Sequence, residues 1–412
     1  MDAANTFSAE ILITIFKYLS ALDLVQCRGV NRNWNAIAAD NLTWSDKLRE
    51  RWREWPLIRQ LPSHLNYMKL YETRFRLDAR RKKNKYRRNF LSLSYPVESL
   101  CCHGDRIATG SAQYDIISIW DVHTGRLIQA LNHKWPQDGI LPTTTGSTVR
   151  GITCLQFDTE LLISGASDGT VIIWSMKSYT PLKYFANGNG PVYEIRMDSR
   201  AVAWMYAPNN LKVVGRGALE YPVWYDLAPD DLTSFDIHHP FLVIYHQYGE
   251  HELCLLKTGG EIRRWRVQVQ TQQRSTATRP QIKRLRFNGD GTKILSAIDS
   301  TLYTLDTQTG HCGISKGQCR TCEMEVSDNR FFTREESYLN HDNQHMLTVW
   351  DLNVPSSAHK ITMNDSDIVK AIGISNCIVA VSSQDRNGGY GLTILSFVYE
   401  LDATYLRYFA DL

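Results

Sequence analysis

The sequence has no long uncharged apolar run, and this lack excludes one class of protein. None of its 412 residues lies in a stretch that approaches the roughly 18 consecutive apolar residues of a membrane-spanning helix. Glu10 and Lys17 interrupt the first apolar run and no small-residue cleavage site follows it, so we expect no signal peptide. The nine cysteines follow no framework spacing, which indicates reduced thiols in the cytosol or the nucleus.

The chain also has little net charge, +3, but that charge is unevenly distributed. Residues 45–90 carry fifteen Lys or Arg against five Asp or Glu, whereas residues 91–412 carry a net charge of −6. The basic character is concentrated in residues 80–88, which have three open interpretations: a solvated linker face, a nuclear import signal, or a patch for nucleic acid or acidic lipid. Because Tyr86 is the one aromatic residue inside this run, the nucleic-acid interpretation is the least favoured.

Residues 7–39 have the period of short amphipathic helices. Apolar residues recur at three- and four-residue steps from Phe7 to Leu19, and two further short helices are predicted at about 22–28 and 31–39. Three helices of this length bury too little surface to fold independently, since domains below about 40 residues need a metal, a disulfide or a partner. This segment offers neither metal ligands nor a cysteine pair, so a protein partner is implied.

Residues 45–90 are predicted to form a basic, aromatic, helical spacer and linker. The aromatic anchors that share a near-helical spacing are Trp44, Trp52, Trp55, Tyr67, Tyr71 and Phe75. A flexible linker would be rich in Gly and Ser, whereas residues 44–80 contain no Gly and two Ser. We therefore expect the anchors to pack between the N-terminal helices and the C-terminal region.

From residue 97 onward the apolar pattern has a period of two, and it repeats seven times. Each repeat opens with one alternating segment: VESLCC at 97, ITCLQF at 152, VYEIRM at 192, LTSFDI at 232, IKRLRF at 282, TCEMEV at 321 and VKAIGI at 369. The third strands of successive repeats end 41–54 residues apart, near the period of about 40–45 residues of four-stranded propeller blades. Because one blade cannot bury both of its faces, we predict an all-β, seven-bladed propeller. Its last blade would take an outer strand from FLSLSY at 90–95 or from TYLRYF at 404–409.

Two sets of motifs point to a family. At the front, Leu19 precedes Asp23–Leu24 at a Leu-x(3)-Asp-Leu spacing, and Val30 precedes Trp34 at a Val-x(3)-Trp spacing. At the back, the repeats end in ISIWD at 117–121, LTVWD at 347–351 and, in part, VIIWS at 171–175. With these motifs the chain resembles the F-box/WD-repeat proteins, the substrate receptors of Skp–cullin–F-box ubiquitin ligases. It departs from that family at Phe7–Ser8, where Leu-Pro is usual.

The resemblance implies an F-box at 1–44, the spacer at 45–90 and a WD-repeat-type propeller at 91–412. It also implies a cytoplasmic or nuclear, non-catalytic receptor without cofactors, which binds a Skp-type adaptor and, through it, a cullin. The expected adaptor-binding residues are those of the apolar stripe and the family motif: Phe7, Ile11, Leu12, Ile15, Leu19, Leu24, Val30 and Trp34. A scaffold that assembles another complex through the same domains is the alternative.

The propeller face determines what such a receptor captures. Family members that bind phosphorylated peptides often carry arginines one residue into each first strand, where this chain has Glu98, Thr153, Tyr193, Thr233, Lys283, Cys322 and Lys370. None is Arg, the residue whose planar fork binds phosphate best. Lys283 and Lys370, with Arg150 and Arg386 in loops on the same face, favour an acidic or phosphorylated protein segment. The alternative is a polar and aromatic surface built from Tyr114, Trp135, Tyr193 and Tyr248.

Catalytic and metal sites are not expected. Ser164 and Asp168 could suggest a hydrolytic pair, but with Trp174 they fall where WD blades carry a structural hydrogen-bond network, and no His follows at a useful spacing. The single Cys-x(2)-Cys, Cys319 and Cys322, has no second pair with which to bind zinc.

Overall fold

A computed structural model of the chain describes most of its residues. The described residues are 7–52, 61–83, 85–133, 151–186, 190–206, 210–217, 223–225, 232–246, 252–257, 262–266, 282–298, 301–315, 321–327, 330–337, 344–351, 358–362, 368–375, 377–385, 387–398, 401 and 405. The chain divides into two compact units. Met1–Tyr86 and Phe397–Ala410 form the helical unit, and Arg87–Ser396 form the sheet unit.

The described helices of the helical unit begin at polar caps. They are α1 (Ala9–Tyr18), α2 (Ala21–Cys27), α3 (Arg32–Ala38), α4 (Asn41–Arg51) and α5 (Tyr67–Lys82). Ser20 and Asp23 form a reciprocal capping box at α2. The Asn31 and Asp40 side chains accept from backbone amides of Trp34 and Thr43 at the starts of α3 and α4. No helix of the described residues is long and apolar enough to cross a membrane.

The core of the helical unit joins the predicted first three helices to the predicted spacer. The Trp44 Nε1–H donates to the Ala38 carbonyl at 2.8 Å, and the Trp44 ring meets the Tyr71 ring edge-on at 5.2 Å. The Trp52 ring lies 4.9 Å from the same tyrosine. Trp44, Trp52 and Tyr71 therefore pack α4 on α5, because aromatic rings bury a large apolar surface against one another. Of the six anchors, Trp55 lies outside the described residues.

The sheet unit consists of short antiparallel strands in chain order. They are β1 (Arg87–Leu93), β2 (Ser99–His103), β3 (Arg106–Ser111), β4 (Tyr114–Asp121), β5 (Leu127–Asn132), β6 (Ile152–Phe157), β7 (Leu161–Ala166), β8 (Thr170–Ser175), β9 (Pro181–Ala186), β10 (Val192–Met197), β11 (Ala201–Tyr206), β12 (Asn210–Gly215), β13 (Val223–Tyr225), β14 (Leu232–His238), β15 (Phe241–His246), β16 (Glu252–Lys257), β17 (Ile262–Arg266), β18 (Ile282–Phe287), β19 (Lys293–Ile298), β20 (Thr301–Asp306), β21 (Cys312–Ser315), β22 (Thr321–Ser327), β23 (Arg330–Ser337), β24 (Gln344–Asp351), β25 (Ala358–Thr362), β26 (Ile368–Ile374), β27 (Ile378–Gln384) and β28 (Tyr390–Ser396).

These described strands form seven four-stranded sheets arranged as a β-propeller. The first strands β2, β6, β10, β14, β18, β22 and β26 contact one another in that order, and β26 returns to contact β2. Each of the seven segments predicted to open a repeat overlaps one of these strands. Apolar side chains fill the space between neighbouring sheets, as where Ile119 and Leu131 of one sheet pack with Leu162 and Trp174 of the next.

The N-terminal candidate supplies the outer strand of the last sheet. β1 pairs antiparallel with β28, from Arg87 opposite Ser396 to Leu93 opposite Tyr390, so the sheet runs β1-β28-β27-β26. FLSLSY at 90–95 thus overlaps the closing strand, whereas TYLRYF at 404–409 lies, apart from Tyr405, outside the described residues. The strand begins at Arg87, and α4 runs through residue 44, so neither predicted domain boundary coincides with the end of an element. The division into 1–44, 45–90 and 91–412 stays a prediction.

Candidate functional site

The helical unit exposes an apolar stripe along α1 and α2. Its members recur at three- and four-residue steps and are 42–87% exposed: Ile11, Ile15, Tyr18, Leu22 and Val25. Phe7, Val30 and Leu42 are further exposed apolar residues of this unit. On the other side of α1, Leu12 and Phe16 are buried in the core. We call the set Ile11, Ile15, Tyr18, Leu22 and Val25 the helical stripe. Large aliphatic side chains grouped in this way mark a surface that a partner covers.

The eight residues predicted to bind an adaptor divide between surface and core. Phe7, Ile11, Ile15 and Val30 are exposed, whereas Leu12 and Leu24 are buried. Leu19 and Trp34 are half-buried, and the Trp34 ring meets the Phe16 ring at 5.4 Å. Leu12 and Leu24 stabilise the domain and present no surface to a partner.

Sequence reasoning left four of the exposed residues out of its predicted set: Tyr18, Leu22, Val25 and Leu42. A signal for three of them was present, because they continue the spacing that starts at Ile11 and Ile15. α1 carries two apolar stripes, and the pattern alone does not say which one faces the core.

The second candidate site is a cavity of about 100 Å³, which we call the channel cavity. Residues of β2, β6, β10, β22 and β26 line it, together with Glu98 just before β2. The sheets come close here because each contributes its first strand to the ring. Tyr193 is 54% exposed at the mouth, while Glu194 and Arg196 of the same strand are buried deeper.

A charge network closes the deep end of the channel cavity. Arg286 of β18 places Nη1 3.0 Å from Glu194 Oε1 and Nη2 3.0 Å from Glu325 Oε1. Arg196 Nη2 lies 2.9 Å from the same Glu194 oxygen and 3.5 Å from Glu325 Oε1. Arg196 Nε also lies 3.8 Å from Asp236 Oδ1. Side chains of β10, β14, β18 and β22 are thereby held together across the ring.

Burial and pairing shift the pKa values in this network in opposite directions. Burial raises the pKa of Asp236 to about 7, although Arg196 and the backbone amides of Phe287 and Ile237 oppose that rise. Burial alone would lower the pKa of Arg196, but the carboxylates of Glu325, Glu194 and Asp236 outweigh it and raise the pKa above its ordinary value. Arg196 therefore remains a cation that is already neutralised by its neighbours.

The positions aligned by sequence are equivalent in the structure. In each first strand from β6 to β26, the pairing with the second strand shifts register at the residue that the repeats align. This shift indicates a β-bulge at Thr153, Tyr193, Thr233, Lys283, Cys322 and Lys370. Of the predicted substrate-binding residues, Tyr193 is at the cavity mouth, and Lys283 and Lys370 lie at bulges of β18 and β26.

Several residues of the predicted substrate face lie outside the described residues. They are Arg150 and Arg386, and, from the aromatic alternative, Trp135 and Tyr248. Tyr114 is exposed on β4 and is not among the residues that line the cavity.

Ser164 belongs to a buried hydrogen-bond network that does contain a histidine. His133 places Nδ1 2.9 Å from Ser164 Oγ and Nε2 2.9 Å from Thr170 Oγ1, and Trp174 Nε1–H donates to the same serine at 2.9 Å. His133 precedes Ser164 by 31 residues, so the expectation that no His follows at a useful spacing did not cover it. Both Ser164 and His133 are buried, so the network holds strands together and offers a substrate no access. Among the described residues no His, Cys, Asp or Glu side chains form a group that could bind a metal ion.

Comparisons with known proteins support both halves of this description. A family model described as F-box-like matches residues 9–50. The chain is 35% identical over 69 residues to "F-box protein At5g39250" of Arabidopsis thaliana, which is 16% of this chain and 26% of that protein. It is 27% identical over 113 residues to "Mitochondrial division protein 1" of Schizosaccharomyces pombe, covering 25% of this chain and 17% of that protein. The chain thus spans about a quarter or less of these relatives.

Solved structures match the fold of the sheet unit. A chain of the "Mitotic Checkpoint Complex" superposes with a TM-score of 0.54 at 11% identity, over 76% of this chain and 95% of that one. The Cps50 (Swd1) β-propeller domain of Myceliophteria thermophila superposes with a TM-score of 0.55 at 15% identity, over 75% and 99% of the two chains. An F-box-like domain at the N-terminus is therefore followed by a WD-type β-propeller, as the sequence motifs predicted.

Proposed function

We propose that this chain is the substrate-recognition subunit of a Skp–cullin–F-box ubiquitin ligase. The F-box-like domain would bind a Skp-type adaptor and, through it, a cullin, while the propeller captures the protein to be ubiquitinated. The helical stripe carries this proposal. Apolar surface gains about 25 cal/mol per Å² when it is removed from water, so a partner groove that covers these side chains would be bound strongly.

The proposed role requires no catalytic side chain and no cofactor. Proteins that combine an F-box-like domain with a WD-type propeller are generally non-catalytic adaptors. Ubiquitin transfer would be accelerated by proximity, since a captured substrate lysine is held near a ubiquitin-charged enzyme at raised effective concentration. A ligase of this kind would work in the cytoplasm, the nucleus or both.

We further propose that the propeller has seven blades, one for each four-stranded sheet. The cyclic contacts of the first strands and the closing strand β1 support this count. A closed ring presents the bulge positions on one face, where loops of neighbouring blades could together bind a protein.

The adaptor interaction is tested by co-purification of full-length chain with the Skp adaptor and a cullin. Ile11→Asp with Ile15→Asp places two charges on the helical stripe without disturbing the core, unlike a change at the buried Leu12. We expect this double variant to lose both partners, with at least about a tenfold drop in recovered adaptor.

Lys17→Gln with Asn33→Asp is the matched control, because both residues are exposed on helices of the same domain, neither is apolar, and Lys17 lies off the face of α1 that Ile11 and Ile15 share. It should retain both partners. If the Ile11 and Ile15 variant retains adaptor and cullin as well as the control does, the helical stripe serves another purpose. If even the unmodified chain recovers neither partner, the scaffold alternative is favoured.

A further inference from the structure

The two arginine side chains described at the channel cavity, those of Arg196 and Arg286, are already paired with carboxylates. The guanidinium groups of Arg196 and Arg286 each contact both Glu194 and Glu325, at N···O distances of 2.9–3.5 Å. A phosphate or carboxylate would therefore have to displace a carboxylate that is already buried against its cation, which carries a large desolvation cost.

The mouth of the cavity has the opposite character. Glu98 is half-buried there, and its Oε2 accepts from the Ala112 backbone amide at 2.9 Å. Glu98 lines the same cavity as Glu194, Arg196 and Glu325 and lies outside their network of ion pairs. An anionic, partly desolvated group at the edge of a cavity attracts cations more strongly than the same group on an open surface.

An aromatic side chain also lines this cavity. Tyr193 lies at the bulge of β10, lines the same cavity as Glu98, and is 54% exposed. Tyrosine faces attract guanidinium and ammonium groups, and Arg in particular stacks on them. A carboxylate and an exposed aromatic ring at the opening of a narrow polar cavity are together complementary to the end of one long basic side chain.

We propose that the channel cavity binds a lysine or arginine side chain of the captured protein, with Tyr193 and Glu98 as its contacts. This inference rests on the proposed function, since it names the substrate feature that the propeller recognises. It differs from the prediction of an acidic or phosphorylated segment at Lys283 and Lys370. A basic side chain would enter beside Tyr193, pair with Glu98, and leave the deeper charge network intact.

The test measures fluorescence polarisation of full-length chain, in complex with its adaptor, against four fluorescein-labelled peptide libraries. The libraries have degenerate flanks and a fixed central Lys, Arg, Glu or phosphoserine. We expect the Lys or Arg library to bind at least about tenfold more tightly than the Glu and phosphoserine libraries. Tyr193→Ala should weaken that binding by about five- to tenfold. Glu98→Gln should do the same while its amide oxygen still accepts from Ala112.

Tyr114→Ala is the matched control, because Tyr114 is a second exposed tyrosine of the propeller that does not line the cavity. It should bind all libraries as the unmodified chain does. Tighter binding of the Glu or phosphoserine library would overturn the proposal and favour an acidic or phosphorylated segment bound at Lys283 and Lys370. Absence of any preference, or equal losses in the Tyr193 and Tyr114 variants, would also overturn it. Retained adaptor binding in every variant separates these failures from a failure of the ligase proposal.

Discussion

Arg196 is a single residue that serves several sheets at once. Its guanidinium lies within 4 Å of three carboxylates, on Glu194 of its own strand, Asp236 of β14 and Glu325 of β22. A buried cation without partners would cost several kcal/mol, whereas one with several carboxylates is close to neutral in its net effect on folding. The network therefore fixes the relative positions of strands in the ring more than it adds stability.

Asp236 makes the stability of the propeller dependent on pH. Burial raises its pKa to about 7 from an ordinary value of 3.8, so the folded chain holds a proton that the unfolded chain has released. The stability that this proton provides is fully present below pH 4 and is lost as pH rises through 7. Between pH 5 and pH 8 we expect the free energy of unfolding to fall by about 1–3 kcal/mol from this group.

Asp236→Asn should remove that fall, because the amide is neutral at every pH in the range. Urea unfolding midpoints measured between pH 5 and pH 8 give the comparison. Asp306→Asn is the control: Asp306 is solvated and its pKa is lowered by hydrogen bonds from Thr309, so it stays ionised throughout. An unchanged pH slope in the Asp236 variant would show that another group titrates.

At the scale of elements, α1 carries two apolar stripes, and only one of them is buried in the core of the helical unit. Leu12 and Phe16 are buried on the side where α1 packs on α3 and α4, and the stripe with Ile11 and Ile15 is exposed. α4 contacts α1 and packs on α5, where the Trp44 ring meets that of Tyr71. The support of α1 thus extends to α5, which lies outside the predicted F-box boundary at residue 44.

Tyr71→Ala should accordingly loosen the F-box-like domain from a distance. Tyr71 is 8% exposed and its ring contacts those of Trp44 and Trp52, so its loss leaves a cavity that costs about 3 kcal/mol. We expect faster amide hydrogen exchange in α4 and lower adaptor recovery.

Phe75→Ala is the control one helical turn away. Phe75 stacks on Tyr71 but is 45% exposed, so it should have less than half the effect. Equal exchange rates in the two variants would show that Tyr71 does not connect α5 to the domain.

At the scale of the whole molecule, an N-terminal strand completes the last sheet. β1 precedes every other strand in the chain, yet pairs with β28 over residues 87–93 and 390–396. Without it, β28 would present an unpaired edge, and no strand pairing would join a segment before β2 to the last sheet. Ring closure is therefore a property of two segments about 300 residues apart in sequence.

Leu93→Asp should open this closure. Leu93 is 8% exposed, and an unpaired carboxylate at its position would destabilise the sheet by about 3 kcal/mol. Hydrogen exchange should then accelerate in β26, β27 and β28 and also in β2, the neighbouring first strand. Phe90→Asp, in the same strand but at a residue that is 58% exposed, should leave exchange in those strands near normal. Acceleration confined to β1 itself would contradict a role in closing the ring.

Much of this protein was determined by short stretches of its sequence. Period-two alternation located the first strand of every sheet, and the bulge at each aligned position from Thr153 to Lys370 followed from the same repeat. The positions of the strands and of the bulges depend on residues close together in the sequence, since side chains alternate between the two faces of a strand regardless of the rest of the chain. The Leu19–Asp23–Leu24 and Val30–Trp34 spacings identified the F-box-like domain for the same reason.

Only the tertiary structure decided the rest, because it depends on which distant segments meet. Two alternating segments could have closed the ring, and the choice of β1 required knowing which one reaches β28. α1 offered two apolar stripes, and the packing of α3 and α4 determined which became core. Arg286 and Glu194 are 92 residues apart, and no local pattern pairs them. The charge of the channel cavity therefore emerged only from the folded ring, because an ion pair depends on distance in space and not on separation along the chain.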